Sequence, residues 1–245
     1  MAKAPDLGFT GRVGNLIFYN VNGNKYVRTM PSKVRQTKAT KARASEFGKA
    51  SGLGSLIRSQ MLPIVANPKD LKMQTRLVSA VYQWLLQLKD RKNSNDVQPD
   101  GLTGFQFNEQ PYFLKERLRV GFTVGLPSKV GLQIKIPAFI PREVIAAPAH
   151  TESVICRIAS CVIDVDRKTS LGNASAELVV PYHSQTVASR TIYFKLRVPK
   201  GSLIITGISL EYQVTQKGRI VTTTNKNFMP SEIVDVKWIQ MEISA

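Results

Sequence analysis

The 245-residue chain carries 34 lysines and arginines against 17 acidic residues, which gives a formal net charge of +17. Its hydrophobic fraction of 43% is ordinary for a folded protein and excludes a wholly disordered chain. No apolar run approaches the roughly 18–20 residues of a membrane-spanning helix, and no apolar segment of a secretory signal follows the N-terminus. The sequence alone therefore predicts a globular, cytoplasmic protein.

The basic residues are concentrated in the first part of the chain. Residues 1–92 hold 17 Lys/Arg and 4 Asp/Glu, a net charge of +13, whereas residues 93–245 hold 17 and 13, a net charge of +4. This imbalance indicates an acidic partner, which is nucleic acid, an anionic membrane surface or an acidic protein. A solvated face that only keeps the protein soluble is the alternative explanation.

Residues 8–31 predict a β-hairpin. Two strand-like runs, 16–21 and 25–29, flank Asn22-Gly23-Asn24, which supplies the positive φ angles of a tight turn. A cluster of glycines precedes the hairpin. It lacks the Lys-Ser/Thr pair and the following helix of a phosphate-binding loop, so we interpret it as a structural turn.

The next part of the chain predicts a helical hairpin. A basic connector at 32–43 leads to Thr40, which is the predicted N-cap of a helix that ends near residue 62. A proline at the first helical position then starts a second helix, which ends near residue 92.

The first predicted helix contains a row of small residues. Ala44, Gly48 and Gly52 lie four residues apart and therefore share one face. Glycine lowers helix stability by about 1 kcal/mol relative to alanine. The row predicts that another backbone packs closely against this face.

Beyond a polar linker at 93–103 the hydrophobic pattern changes to a period of two, which is typical of strands. This series of short strands predicts an antiparallel β-sandwich of the immunoglobulin-like type. The predicted fold class is therefore α+β, with a basic hairpin and helical region at 1–100 and a sandwich domain at 101–245. The predicted strands are 118–124, 131–136, 153–165, 176–181, 191–197, 202–216, 219–224 and 234–243.

Residue types that carry catalysis or bind metals are few and far apart. His150 and His183 have no histidine, cysteine or carboxylate at ligand spacing. Cys156 and Cys161 lie five apart in one predicted strand, hence on opposite faces and about 16 Å apart, too far for a disulfide. We therefore predict no catalytic, metal-binding or cofactor-binding residue, and a protein that is not an enzyme.

The hairpin combines basic and aromatic residues. Nucleic-acid-binding β-ribbons and stacking platforms use this combination, and the alternative is that Phe18, Tyr26 and Val27 belong to a core. No helix-turn-helix, ribonucleoprotein or zinc-finger signature is present. The predicted partner-binding residues are the cations and aromatic anchors of the hairpin and connector: Phe9, Arg12, Phe18, Lys25, Arg28, Lys33, Arg35, Lys38, Lys41 and Arg43.

The opening of the chain follows a recognisable pattern of glycine, aromatic and basic residues. Its members are Gly11-Arg12-Val13-Gly14, Tyr19, Gly23, Tyr26-Val27-Arg28 and Pro31. Arg43 and Phe47 follow in the predicted helix. Over residues 8–62 this pattern resembles a set of small basic Bacteroidota proteins of unknown function. That resemblance implies a β-rich second half and transfers no catalytic residue.

In size, basicity and β-rich layout the chain also resembles the plug subunit of the type 9 secretion translocon, which seals a large outer-membrane β-barrel from its periplasmic side. This resemblance implies a location on the periplasmic side of the outer membrane and a partner in that barrel. The leading prediction is a non-enzymatic binding protein whose basic N-terminal region engages an acidic protein surface. The alternative is a nucleic-acid-binding protein.

Overall fold

The chain forms two units by its internal contacts, Met1–Ala44 and Ser45–Ala245. The architecture is mixed α+β, built mainly from antiparallel sheets with little helix. The computed structural model describes residues 2–3, 10–30, 36–65, 70, 72–90, 99, 101–108, 113–128 and 131–239.

The N-terminal unit contains an antiparallel four-stranded sheet. Asn22 and Gly23 form the turn between its third and fourth strands, with φ angles of 52° and 82°. Two successive positive φ angles match the twist of the flanking strands, and this confirms the predicted hairpin. The strands lie in the order β1-β4-β3-β2 and are β1 (Ala2–Lys3), β2 (Gly11–Val13), β3 (Leu16–Val21) and β4 (Asn24–Thr29).

The first long helix begins earlier than the sequence predicts. Its backbone is helical from Lys38, and the Thr37 hydroxyl accepts a hydrogen bond from the Thr40 N–H at 3.1 Å. A capping oxygen typically accepts from the third helical residue, so Thr37 is the cap and the predicted N-cap at Thr40 is wrong. The helices are α1 (Lys38–Gln60), α2 (Met73–Asp90), α3 (Leu114–Arg117) and α4 (Pro141–Val144), with one 3-10 turn at Lys226–Phe228.

Two antiparallel sheets form the second unit. One has the order β11-β10-β7-β8, with β12 also pairing with β10, and the other has the order β5-β6-β9. The strands are β5 (Thr123–Ser128), β6 (Gly131–Ile136), β7 (Thr151–Asp164), β8 (Thr169–Pro181), β9 (Arg190–Phe194), β10 (Ser202–Gln216), β11 (Arg219–Thr222) and β12 (Ser231–Ile239).

Most predicted strands coincide with observed ones. The prediction at 118–124 is displaced, because α3 precedes a single bridge at Leu118 and the strand begins only at Thr123. The prediction at 176–181 covers only the end of β8. The residues before 176 in β8 are mostly small and polar, so they lack the apolar alternation that marks a strand.

The second unit is built in three layers around β7 and β10. One core cluster packs helix residues such as Leu53 and Trp84 against Cys161 and Leu203 on one face of the central sheet. The other cluster includes Cys156 and residues of the three-stranded sheet on the opposite face. Both central strands are therefore buried on both faces.

The buried part of α1 and the whole of α2 pack against the strands of the second unit. Leu53 of α1 and Trp84 of α2 are buried in the same cluster as β7 and β10 residues. An amphipathic helix must bury its apolar stripe, and here the sheet provides the apolar surface. The contact boundary at Ala44/Ser45 consequently differs from the predicted boundary at 100/101.

The cysteines lie as the spacing predicts. Cys156 and Cys161 are both free and buried, and they belong to the clusters on opposite faces of β7. Burial disfavours the thiolate and raises the pKa of each thiol to about 12. Both are structural side chains.

The predicted close approach at the glycine row is wrong. Gly48 and Gly52 are exposed, and a Cβ on Gly48 would meet no described atom within 4 Å. The close approach occurs instead at Gly54, where a Cβ would lie 3.0 Å from Val78 Cγ2. The face of α1 that packs on α2 is thus set by its apolar residues and not by the glycine spacing.

Candidate functional site

The register of the N-terminal sheet divides its side chains between two faces. Ile17 lies opposite both Arg12 and Arg28, and Tyr19 lies opposite Tyr26. Directly opposed residues on antiparallel strands point to the same side, so these five form one face. We call it the basic-aromatic face.

The basic-aromatic face is organised by ring and cation contacts. The Tyr19 and Tyr26 rings stack with centroids 5.6 Å apart and an interplanar angle of 23°. The Arg28 guanidinium lies 5.6 Å from the Tyr19 ring centroid, within cation–π distance. Arg12 donates a hydrogen bond to the Gly14 carbonyl at 3.0 Å. The result is a stacked tyrosine pair beside two exposed guanidinium groups.

The opposite side of the sheet is mainly apolar. Phe18 lies opposite Val27, and Leu16 lies opposite Val13. Leu16 is 40% exposed and Val13 is 56% exposed. We call these four residues the apolar face. Lys25 lies on the same side, where it pairs with Asn20, two positions along the strands from Phe18–Val27.

The sheet therefore separates residues that the sequence grouped together. Arg12 and Arg28 lie on the basic-aromatic face, whereas Phe18 and Lys25 lie on the apolar side. The alternative core interpretation of Phe18, Tyr26 and Val27 is also wrong. All three are only half-buried, and Tyr26 lies on the face opposite the other two.

Three further predicted site residues lie at the start of α1. Lys38, Lys41 and Arg43 are exposed, and the first turn contains no acidic residue. The helix N-terminus already carries a partial positive charge, so these cations strengthen the local positive potential instead of neutralising it. This end of the helix therefore attracts an anionic partner, although its own cations do not stabilise the helix.

The remaining predicted site residues, Phe9, Lys33 and Arg35, lie outside the described residues. All ten predicted positions belong to Met1–Ala44. This segment has nine basic residues, while Asp6 is its only acidic residue by sequence.

A groove of about 350 Å³ in the second unit contains a pair of carboxylates that the sequence does not reveal. It is lined in part by Lys115, Val120, Glu232 and Asp235. Burial raises the pKa of both carboxyl groups.

A β-bulge brings these two carboxylates to the same face of β12. Asp235 pairs with Thr206 and Ile233 with Gly207, which leaves Val234 as an extra residue. A regular strand would place residues 232 and 235 on opposite faces. No sequence pattern marks the bulge.

Each carboxylate in the groove already has a protein partner. Glu232 accepts a hydrogen bond from the Leu114 N–H at 2.9 Å, and Asp235 lies 3.7 Å from the Lys237 ammonium. Lys237 also donates to the Val124 carbonyl. Glu232 therefore connects β12 to α3, and Lys237, the ion-pair partner of Asp235 within β12, connects the strand to β5.

The histidines do not form a catalytic or metal-binding cluster. Among the described residues, no group of three or more histidine, cysteine or carboxylate side chains is arranged to hold a metal ion. His183 accepts a hydrogen bond at Nδ1 from the Gln185 N–H, and His150 is exposed in a turn. Neither histidine is adjacent to a nucleophile in the described contacts.

Comparison with protein-family models and with curated proteins found no match. Among solved structures, a protein assigned as a beta-galactosidase from Bacteroides fragilis is 17% identical, with a TM-score of 0.23, over 42% of this chain and 15% of that one. A glycosyl hydrolase family 2 member from Bacteroides cellulosilyticus is 5% identical, with a TM-score of 0.19, over 42% and 13%. At these TM-scores neither structure defines a fold for this chain.

The helices do not meet the requirements of a membrane span in the residues that the structure describes, because none of them combines the length and apolarity that crossing a bilayer demands.

Proposed function

We propose that the N-terminal unit is a binding module that engages an acidic surface of a partner protein. The observation that carries this proposal is a sheet with an apolar face on one side and the exposed cations Arg12 and Arg28 on the other. None of the described residues in 10–30 and 36–44 is buried, and Ala50 is the first buried residue among those that the structure describes. The sheet thus presents both the apolar anchors and the charges that protein interfaces use.

Energetics support a partner for this sheet. Full burial of an apolar side chain stabilises a protein by about 1.5–3 kcal/mol, and Val13, Leu16, Phe18 and Val27 obtain only part of this. A partner that covers the apolar face supplies the rest. Charge at Arg12 and Arg28 would then mainly accelerate encounter with an acidic protein.

The second candidate is single-stranded nucleic acid. The stacked Tyr19 and Tyr26 rings, flanked by Arg12 and Arg28, provide base-stacking surface and phosphate-binding cations together. This candidate uses the basic-aromatic face, whereas an acidic protein uses the apolar face as well. The two candidates are therefore separable by mutation.

The resemblance to the plug subunit of the type 9 translocon suggests one specific acidic surface, the wall of a large outer-membrane β-barrel.

In the second unit, the packing of the three-stranded sheet on the central sheet supports an immunoglobulin-like sandwich as the finer description of this part. Both remain parts of the proposal.

Pull-down of the full chain from a native lysate, at 50 and 200 mM salt with and without nuclease, tests the proposal. Leu16→Ser removes an anchor of the apolar face, and Arg12→Gln/Arg28→Gln removes the exposed charges of the basic-aromatic face. Lys195→Gln/Arg197→Gln is the matched charge control in the other unit. Circular dichroism verifies the fold of each variant.

An acidic protein partner is retained at 200 mM salt after nuclease treatment and is lost with Leu16→Ser, while the control retains it. If the partner is nucleic acid and six or more phosphates are contacted, the affinity for a fluorescent single strand falls about a thousandfold between the two salt concentrations. Nuclease-sensitive capture that depends on the two arginines and not on Leu16 would overturn the protein-binding proposal.

A further inference from the structure

An apolar cavity of about 90 Å³ lies between the two sheets of the second unit, close to the free edge of β8. Its buried lining includes Ile136, Ile145, Val154, Cys156 and Leu210. These residues come from both sheets and from α4's C-terminal end. The cavity is therefore a gap in the packing between the layers.

One side of this cavity reaches the surface. Pro181, at the end of β8, and Ala188, just before β9, line it and are exposed. Arg190 at the start of β9 also lines the cavity and is exposed. The opening thus lies between the end of β8 and the start of β9.

Arg190 is the one charged residue among the described residues of the lining. Within the described part of the chain, its guanidinium makes no hydrogen bond or ion pair. A cation with five donors at the entrance of an apolar cavity matches an anion that carries an aliphatic tail.

We propose that this cavity binds an aliphatic carboxylate, with the end of the chain between the sheets and the carboxylate at Arg190. An apolar cavity stays free of ordered water, because water there would lack polar partners. An engineered cavity of about 150 Å³ accepts benzene, so the smaller volume here suits the last few carbons of an acyl chain. The site is independent of the N-terminal sheet and of its proposed partner.

Hexanoate and 1-hexanol are the probes, because they share the alkyl chain and differ in the charged head. Calorimetric titration of the full chain measures both. We expect Arg190→Gln to weaken hexanoate binding about three- to tenfold and to leave hexanol unchanged. Lys135→Gln, which removes a nearby exposed charge that does not line the cavity, should leave both affinities unchanged.

Chain length and a blocked entrance test the apolar part of the site. From butanoate to hexanoate the affinity should rise about fourfold for each methylene buried, and it should level off once the cavity is filled. Ala188 lies at the exposed entrance. The larger side chain of Ala188→Trp should block this entrance and abolish binding of both probes, while circular dichroism shows that the protein stays folded.

Three results would overturn the proposal. They are no binding of hexanoate to the wild-type protein, equal loss of hexanoate binding in Arg190→Gln and Lys135→Gln, and unchanged binding in Ala188→Trp. The second result would mean that general positive potential attracts the anion, and the third that the probe binds elsewhere.

Discussion

Ser160 and Thr206 lie directly opposite each other on β7 and β10, with their hydroxyl oxygens 3.0 Å apart and both side chains fully buried. Each hydroxyl provides the hydrogen-bond partner of the other in an otherwise apolar region. Removing one partner leaves a buried polar group unsatisfied, which costs more than removing both.

We expect Ser160→Ala to lower the free energy of unfolding by about 1–2 kcal/mol. The double variant Ser160→Ala/Thr206→Val should lose less than the sum of the two single variants, because no hydroxyl remains without a partner. Urea denaturation measures all four members of this cycle. Strict additivity would show that the two hydroxyls do not interact.

The second prediction compares two glycines of α1. Gly48→Ala should raise the free energy of unfolding by about 0.5–1 kcal/mol, because its Cβ meets no described atom and alanine favours the helix. Gly54→Ala should lower it by about 1 kcal/mol, because its Cβ would lie 3.0 Å from Val78 Cγ2.

Val78 is buried, and its β-branched side chain has little freedom to rotate within α2. Replacing Val78 by alanine removes the obstructing methyl, so Gly54→Ala should be less harmful in that background. Thermal denaturation of the variants provides the measurement. An equal gain in melting temperature for both glycine variants would contradict the observed packing.

The third prediction concerns thiol reactivity. Cys156 and Cys161 are buried and their pKa values are raised to about 12, so the reactive thiolate is scarce in the folded protein. At pH 8 a thiol-reactive dye should label the native protein very slowly. Both thiols should react at once in 6 M guanidinium, and rapid native labelling would show that one cysteine is accessible.

The same thiols give a pH dependence. Their pKa in the folded state lies above the ordinary value of 9.0, so the stability that they contribute is complete below pH 9. It is lost as the pH rises from about 9 towards 12, because the unfolded chain ionises first. Replacing Cys161 by alanine should therefore flatten the decrease in stability between pH 9 and 10.

The fourth prediction concerns the groove carboxylates. Burial raises the pKa of Glu232, so the folded state favours the neutral acid. The stability from this group is present below its unfolded pKa of 4.5 and is lost as the pH rises through the folded value. Glutamine keeps an oxygen that can accept from the Leu114 N–H and carries no charge.

Glu232→Gln should consequently be more stable than the wild-type protein at pH 7, and the difference should shrink as the pH falls towards 4. The midpoint of urea denaturation at several pH values follows this difference. Glu143→Gln, which replaces an exposed carboxylate in α4, serves as the control. A wild-type protein that is the more stable of the two at pH 7 would show that the charge of Glu232 is needed.

Local patterns in the sequence determined several features. The Asn22-Gly23 pair specified the hairpin turn, because few other residues adopt two successive positive φ angles without strain. The odd spacing of Cys156 and Cys161 placed them on opposite faces, because side chains alternate along any regular strand. Such features depend on near neighbours alone, and the sequence contains them completely.

The tertiary structure decided which faces meet. Gly54 rather than Gly48 approaches α2, because the apolar stripe of α1 and its partner helix set the orientation jointly. Register divided Arg12 and Phe18 between opposite faces of the N-terminal sheet, although both lie in one basic-aromatic stretch.

The carboxylate pair of the groove and the cavity near Arg190 also belong to the tertiary structure. A single extra residue, Val234, brings Glu232 and Asp235 to one face of β12, and no composition or periodicity marks that position. The cavity arises where two sheets fail to fill the space between them. Both depend on contacts between residues far apart in sequence, whose geometry is settled only when the whole core packs.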